Sequence, residues 1–215
     1  MREVRHLRAG DARRVPWKNG RGVTLELALA PEGATFERGD FDWRISRAAV
    51  DEDGAFSCFP GYDRLLVVTR GAGLVLDHDD GASRCRLRAL EPHRFSGDWT
   101  TRAALVAGPV RDFNVVFRRD AVDASIEVLR LGRRRALEAA DAPDAFLGVL
   151  AGGCRARVSG EEEPYELYAD ESLWLREARA GDALEIAGTT DDCAVLLVRI
   201  APPRGGSRAR GDLRG

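Results

Sequence analysis

The side chains best suited to chemistry lie in the first half of the chain, close to aromatic residues. Residues 16–22 place Trp17, Lys18 and Asn19 just before a segment of alternating apolar residues. Further polar side chains begin or lie within strand-like segments, and these are Arg44, Ser46, Asp63, Arg64, Asp112 and Asn114. Cations with amides and hydroxyls nearby bind small carboxylates through charge-assisted hydrogen bonds. We therefore predict that these residues form a binding pocket for a small carboxylate ligand.

Lys18 differs from every other cation in this set. Of the 33 basic residues in the chain, Lys18 is the only lysine. A compact ammonium retained where arginine is otherwise used indicates a position that a planar guanidinium cannot fill. The interpretation that follows is that Lys18 binds the anion, and chance retention is the alternative.

Metal and nucleophilic chemistry have weaker support in this sequence. The three histidines, His6, His78 and His93, are scattered, and neither a CxxC pair nor a GxSxG motif occurs. A metal centre needs about three or four converging ligands, so we expect no metal and no cofactor. His78 stands in a stretch of turn composition, and His93 follows a proline in an expected loop.

The composition is that of a globular protein without a strong electrostatic preference. The 215 residues are 44% hydrophobic and 32% charged, and the net charge is −2. No basic field is present to attract nucleic acid, and no apolar run approaches the roughly 20 residues of a membrane span. The cysteines are widely separated, and the N-terminus lacks the apolar stretch of a signal sequence. We expect a cytoplasmic protein without nucleic-acid or membrane partners, with a homodimer left open.

Short strands dominate the predicted secondary structure. Residues 23–29, 41–46 and 113–118 alternate apolar and polar or small side chains with period two. The glycines at 71–73 predict a hairpin turn, and residues 133–140 form the single helical window. Many short strands between turns favour an all-β fold, a sandwich or a barrel.

Two segments of the first half recur about 80 residues later in the same order. Residues 63–72 resemble 144–153, and residues 112–119 resemble 192–199. The aligned pairs are Arg64 with Ala145, Asp112 with Asp192, and Asn114 with Ala194. The first copy keeps hydrogen-bonding groups where the second has methyl groups at two of these pairs, which places the pocket in the first copy.

The duplication sets the expected domain boundaries. Residues 1–120 are predicted to form a first barrel that contains the pocket, and residues 121–201 a second, degenerate barrel. Residues 202–215 are rich in arginine, glycine and proline, and they are predicted to be a disordered tail.

Four strings carry a resemblance to a known family: PWKNGRGVTLELA, FDWRISRAAVDEDGAFSCFPGYDRLL, HRFSGD and RDFNVVFRR. They resemble the HutD/Ves family of cupin-fold proteins. The resemblance implies a bacterial, cytoplasmic chain of two packed cupin barrels, a bicupin of RmlC-like jelly rolls, without the usual cupin metal ligands. The motif residues that it transfers are Trp17, Lys18, Asn19, Arg44, Ser46, Pro60, Gly61, Asp63, Arg64, Asp98, Asp112 and Asn114.

Three functions remain open from the sequence. The resemblance implies a small-molecule-binding protein of histidine utilisation that binds urocanate or formylglutamate without a metal and modulates the pathway. A metal-free isomerase or hydrolase with Asp63 or Asp112 as general base is an alternative. A stress-induced Ves-like protein without a known activity is the third, since no enzymatic reaction is firmly attached to the family.

Overall fold

A computed structural model describes residues 2–17, 22–139, 142–179 and 181–203. These residues form nineteen β-strands, and the one helical element among them is a 3-10 turn at Asp79–Gly81. The prediction of an all-β fold is therefore confirmed. No helix within the described ranges combines the length and the apolar character that crossing a membrane requires.

The strands divide into a short N-terminal group and two groups of eight. The first three strands are β1 (Glu3–Leu7), β2 (Arg13–Pro16) and β3 (Val23–Ala30). Strands β4 to β11 are Trp43–Val50, Gly54–Phe56, Tyr62–Arg70, Leu74–His78, Ser83–Leu87, Pro92–Ser96, Thr101–Leu105 and Val110–Arg118. Strands β12 to β19 are Asp123–Arg130, Arg135–Ala139, Asp144–Ala151, Gly153–Val158, Tyr165–Tyr168, Ser172–Arg176, Ala183–Gly188 and Ala194–Ala201.

Each group of eight strands builds one barrel from a larger and a smaller sheet. The first barrel has a sheet in the order β2-β3-β4-β11-β6-β9 and another in the order β5-β10-β7-β8. The second barrel has the orders β1-β17-β14-β19-β12 and β13-β18-β15-β16. Strands β4 to β11 and β12 to β19 thus take the same places in the same chain order. This topology confirms the predicted duplication.

The two larger sheets pack face to face through a shared apolar core. Alternate side chains of each sheet point into this core, as the period of two in a strand requires. Trp43 meets Trp174 edge to face with ring centroids 5.3 Å apart, and Phe113 lies 5.9 Å from Phe146. Aromatic contacts of this kind stabilise the packing beyond the burial of their area, and they hold the barrels together.

The N-terminal strand departs from the predicted domain boundary. β1 pairs with β17 over five residues, Glu3 opposite Arg176 through Leu7 opposite Ser172, and so it extends a sheet of the second barrel. The range 1–120 therefore does not belong wholly to the first barrel. The physical reason is the open edge of β17, which β1 covers with backbone hydrogen bonds.

Two local predictions were wrong. The helical window at 133–140 contains strand β13, because Arg135–Ala139 pairs in register with β18. The hairpin at 71–73 does not form, since β6 and β7 belong to different sheets of the first barrel. Gly71 and Gly73 instead turn the chain between the sheets with φ of 101° and 116°. A Cβ on Gly73 would lie 2.3 Å from the carbonyl oxygen of Leu87, so only glycine fits this corner.

Candidate functional site

Three rows of paired residues across β4, β11 and β6 form the polar wall of the first barrel. The rows are Arg44–Val116–Arg64, Ser46–Asn114–Leu66 and Ala48–Asp112–Val68. Residues two apart on a strand share a face, so all these side chains point into the barrel interior. Five of the predicted site residues, Arg44, Ser46, Arg64, Asp112 and Asn114, are thus brought together by the sheet.

Arg44 is a buried cation at one end of this wall. Its Nε donates to Glu26 Oε2 at 2.8 Å, and its guanidinium stacks over Phe36 at 4.1 Å from the ring centroid. Burial lowers the pKa of Arg44, and the carboxylate of Glu26 opposes that shift. Its Nη2 has no hydrogen-bond partner among the described residues, so one donor is free for a ligand.

Arg64 is a cation in an aromatic cage. Its guanidinium carbon lies 5.0 Å from the rings of Phe56 and Phe95 and 5.5 Å from that of Phe59. Nη1 donates to the Ser57 carbonyl oxygen at 3.3 Å, whereas the buried Nε has no partner in the described part of the chain. Burial lowers the pKa of Arg64 to about 10, so the side chain remains charged at neutral pH.

Asp112 is a buried acid that faces the same interior. Only 4% of the residue is exposed, and its Oδ1 has no hydrogen-bond partner among the described residues. Burial raises the pKa of Asp112 to about 7, against the opposing effects of the Arg64 charge and the Ala48 N–H. No direct ion pair joins Asp112 to Arg64 among the described ion pairs, although each lowers the electrostatic cost of burying the other.

Ser46 and Asn114 form the middle row between the cations and the acid. Ser46 is 2% exposed, and it lies directly opposite Asn114 on the neighbouring strand. The buried Asn114 Oδ1 has no partner within the described residues. This row therefore offers an unpaired acceptor between the arginines and Asp112.

Two histidines that the sequence analysis assigned to a turn and a loop lie inside the barrel. His78 ends β7 with its Nδ1 2.9 Å from Thr101 Oγ1, and His93 in β9 has its Nδ1 3.6 Å from Cys85 Sγ. The rings stack with centroids 6.2 Å apart. Burial lowers the pKa of both, so they are neutral at pH 7. The missed signal was the apolar alternation before His78, which continues the strand through it.

These residues do not fit the metal site of a cupin barrel. No group of three or more histidine, cysteine or acidic side chains in the described residues is arranged to hold a metal ion. Thr101 engages one nitrogen of His78, and Cys85 faces one nitrogen of His93. A metal-bound histidine commonly hydrogen-bonds through its other nitrogen, so the misfit rests on the number of converging side chains and not on these two contacts.

Elemental analysis tests the metal prediction. Protein purified without chelators is expected to contain well below one equivalent of iron, manganese, nickel or zinc per chain, because too few ligands converge. One equivalent of any of these metals, lost when His78 and His93 are both changed to alanine, would contradict it.

Asp63 lies on the opposite face of its strand from Arg64, outside the barrel interior. Its carboxylate accepts hydrogen bonds from Arg119 Nε at 2.6 Å and Arg94 Nη2 at 2.8 Å. Arg119 also pairs with Asp98, whose Oδ1 accepts the Gly61 N–H at 2.7 Å. The structure thus assigns Asp63 and Asp98 to an ion-pair network that holds the 61–63 segment, and it does not bring them to the polar wall.

Asp63→Asn is therefore expected to lower the free energy of unfolding by about 1–2 kcal/mol, since it removes charge-assisted hydrogen bonds from a half-exposed network. Carboxylate affinity is expected to stay within about twofold. Urea unfolding and calorimetry measure the two effects. A folded Asp63→Asn protein that no longer binds would place Asp63 in the site after all.

Trp17 borders the interior from the edge of the larger sheet. Its indole N–H donates to Thr24 Oγ1 at 2.9 Å, and the ring packs against the apolar cluster of the first barrel. A Cβ at Gly22 would come within 2.8 Å of the indole, so the glycine permits this contact. The predicted ligand residues Lys18 and Asn19 lie outside the described residues.

The second barrel has an apolar interior at the equivalent positions. With Arg64 aligned to Ala145, the strand registers match Asp112 to Val195 and Asn114 to Leu197. All three counterparts are buried in the apolar cluster of the second barrel. The sequence pairing with Asp192 and Ala194 was therefore wrong by three residues, and Ala194 faces the core between the barrels. The corrected pairing sharpens the contrast between the interiors.

Two packed β-barrels from a duplicated unit, with a polar interior in one of them, define a bicupin protein. The sequence profile of the HutD family matches residues 9–194. The chain belongs to the HutD family, a family of cupin-fold proteins linked to histidine utilisation.

Relatives and solved structures agree with this assignment. An uncharacterised 21.2 kDa protein from the hutC 3′ region of Pseudomonas putida is 39% identical over 118 residues, 54% of this chain and 60% of that protein. Protein Ves of Escherichia fergusonii is 33% identical over 122 residues, 55% of this chain and 61% of that protein. The matched segment thus spans about three fifths of each relative.

Solved structures match over nearly the whole chain. A conserved protein of unknown function from Pseudomonas aeruginosa PAO1 is 32% identical with a TM-score of 0.83, covering 93% of this chain and 99% of that one. HutD from Pseudomonas fluorescens SBW25 is 30% identical with a TM-score of 0.74, covering 93% and 98%. The Escherichia coli pirin YhhW, solved with nickel(II), is 10% identical over 94% and 100% with a TM-score of 0.62, and it shows the shared fold alone.

Proposed function

We propose that the first barrel binds a small carboxylate of histidine catabolism, urocanate or formylglutamate, without a metal, and that this binding modulates histidine utilisation. The observation behind the proposal is the pair of buried arginines that face one interior. Arg64 has no directly paired carboxylate among the described ion pairs, and both guanidiniums have an unpaired nitrogen. A buried cation without a direct partner is costly, and an anionic ligand would offset that cost.

Family membership supports the choice of ligand class. The chain is a HutD-family protein, and its interior offers two cations together with amide and hydroxyl groups, which match a short acid. The apolar interior of the second barrel offers no comparable groups at the positions equivalent to Arg64, Asn114 and Asp112. One ligand per chain, bound in the first barrel, is the stoichiometry that this contrast supports.

Binding is expected to raise the melting temperature. A ligand of about ten heavy atoms at roughly 0.5 kcal/mol per atom has a Kd on the order of 100 µM. At about 10 mM ligand, the folded state gains about 2.7 kcal/mol, which corresponds to a rise of roughly 5–10 °C. Urocanate and formylglutamate are tested separately by calorimetry and thermal melting, with propylamine as a cationic control of no expected effect. Unchanged melting with both acids would contradict the proposal.

A second candidate function is metal-free general-base catalysis by Asp112. The observation that favours it is the pKa of about 7 of this buried carboxyl, which suits a base that operates near neutral pH. Incubation of either acid with the protein, followed by proton NMR, distinguishes the two functions. Catalysis would give product signals that disappear in Asp112→Asn, whereas a binding protein leaves the acids unchanged.

A further inference from the structure

Apart from His78 Nε2 on β7, the unpaired polar atoms of the first-barrel interior in the described residues are ordered along the strands, with donors at one end and acceptors further on. Arg44 and Arg64 flank Val116, and they supply the free donors Nη2 and Nε. Asn114 and Asp112 follow on β11, and each has a buried Oδ1 without a partner in the described residues. A strand rises about 3.3 Å per residue, so their rows are about 7 and 13 Å from the arginine row.

We infer that the ligand of this barrel carries an N–H donor in addition to its carboxylate, and that the Asn114–Asp112 pair accepts this donor. The inference rests on the proposed function, because the carboxylate is what holds one end of the ligand at the arginine row. The N–H then lies about 5–7 Å from the carboxylate, the distance that reaches the middle row.

The chemistry of the acceptors selects this class of ligand. An ether oxygen or a second anion on the ligand offers only lone pairs, so it leaves the buried Oδ1 of Asp112 unpaired whenever that acid is ionised. Asn114 Oδ1 has the same requirement for a donor. A site built around buried acceptors discriminates strongly against an analogue that lacks the donor, because its own groups then stay unpaired. Asn114 and Asp112 are therefore specificity-determining residues.

The second barrel has the same fold without buried acceptors at the positions equivalent to Asn114 and Asp112. The positions equivalent to Asn114 and Asp112 are Leu197 and Val195, and both are buried among apolar side chains. The barrel therefore closes with apolar residues at these two positions. Polar groups there are not demanded by the fold, which leaves ligand recognition as their role.

A pair of isosteric ligands tests the inference. The probes are 3-(1H-pyrrol-2-yl)acrylate, which has a ring N–H, and 3-(furan-2-yl)acrylate, which has a ring oxygen in its place. The parent protein is expected to bind the pyrrole acid at least tenfold more tightly than the furan acid in calorimetry, as one hydrogen bond to a buried acceptor implies. In Asn114→Leu, this preference is expected to fall to about twofold or less, with affinity for the furan acid nearly unchanged.

Controls separate the possible outcomes. Asp120→Asn, a change of an exposed acid on the loop after β11, is expected to keep the full preference, whereas Asp112→Asn reduces it. Equal affinity of the parent for the two acids overturns the inference and leaves the proposed function intact. A preference that survives in both Asn114→Leu and Asp112→Asn also overturns it. Failure of both acids, urocanate and formylglutamate to bind removes the proposed function and the inference with it.

Discussion

Arg64→Met is expected to abolish measurable binding of small carboxylates. Arg64 is 5% exposed, and its buried Nε has no partner among the described residues. Removing a desolvated cation from its anionic partner costs about 2–5 kcal/mol, so a Kd on the order of 100 µM would weaken to about 3 mM or beyond. Calorimetry with urocanate and formylglutamate measures the loss directly.

The fold is expected to survive this substitution. Methionine fills a similar volume and makes favourable contacts with Phe56, Phe59 and Phe95, which now surround the guanidinium. Asp112 would lose a nearby positive charge, which raises its pKa further above about 7 and keeps it neutral. The substitution therefore leaves Asp112 mostly protonated, so melting without ligand is expected to change little or to rise.

Arg88→Met is the matched control, since the side chain of Arg88 is 78% exposed and its ion-pair partner in the described part of the chain is Glu91. Affinity in this control is expected to equal that of the parent. Arg64→Lys tests geometry: an ammonium is compact and cannot present two parallel donors, so intermediate affinity is expected. If a folded Arg64→Met protein binds these acids as tightly as the parent, the assignment of the binding pocket to this position is wrong.

The sequence predicted the strands well wherever one face of a strand is buried and the pattern alternates. Residues 23–29 and 113–118 fall within β3 and β11, and the recurrence at about 80 residues reflects two units of equal topology. The burial of one face of each strand produces an alternating pattern within that strand, so the strands and their repeat can be recognised in a single sequence. The sequence does not show which strands pair with each other. The glycines at 71–73 therefore indicated a hairpin, whereas the chain passes there from one sheet to the other.

The candidate site was predicted by residue type more reliably than by orientation. Arg44, Ser46, Asp112 and Asn114 share one face because their strands pair in register. Asp63 points the other way, since it is one residue from Arg64 and successive side chains of a strand alternate. The sequence could not show which of the two faces the barrel, because an arginine and an aspartate are equally polar.

The error of three residues in the repeat alignment arose because the pairing of strands is not visible in a single sequence. Similar letters aligned Asn114 with Ala194, whereas the ladder to the neighbouring strand aligns it with Leu197. Irregularities interrupt both ladders, between Arg111 and Asp112 and between Val149 and Ala151. A bulge shifts register without leaving a clear sequence signal, so only the paired strands identify the true counterpart.

Asp112→Asn is expected to make the protein more stable than the parent by an amount that grows with pH. The pKa of Asp112 is about 7 in the folded protein against an ordinary 3.8. Between these values the folded state binds more protons than the unfolded state, so the free energy of unfolding of the parent falls as pH rises. Asparagine does not titrate, and it keeps the shape of the protonated acid.

The difference between variant and parent is therefore expected to be small near pH 4, to increase through pH 5 and 6, and to level off above about pH 8. A shift of about three pKa units corresponds to about 4 kcal/mol at the plateau. Burial lowers the pKa values of His78 and His93, and both histidines are present in the two proteins. Comparing urea unfolding at each pH therefore removes most of their contribution. Parallel stability curves from pH 4 to pH 8 would contradict the prediction, because they would show that folding does not raise the pKa of Asp112.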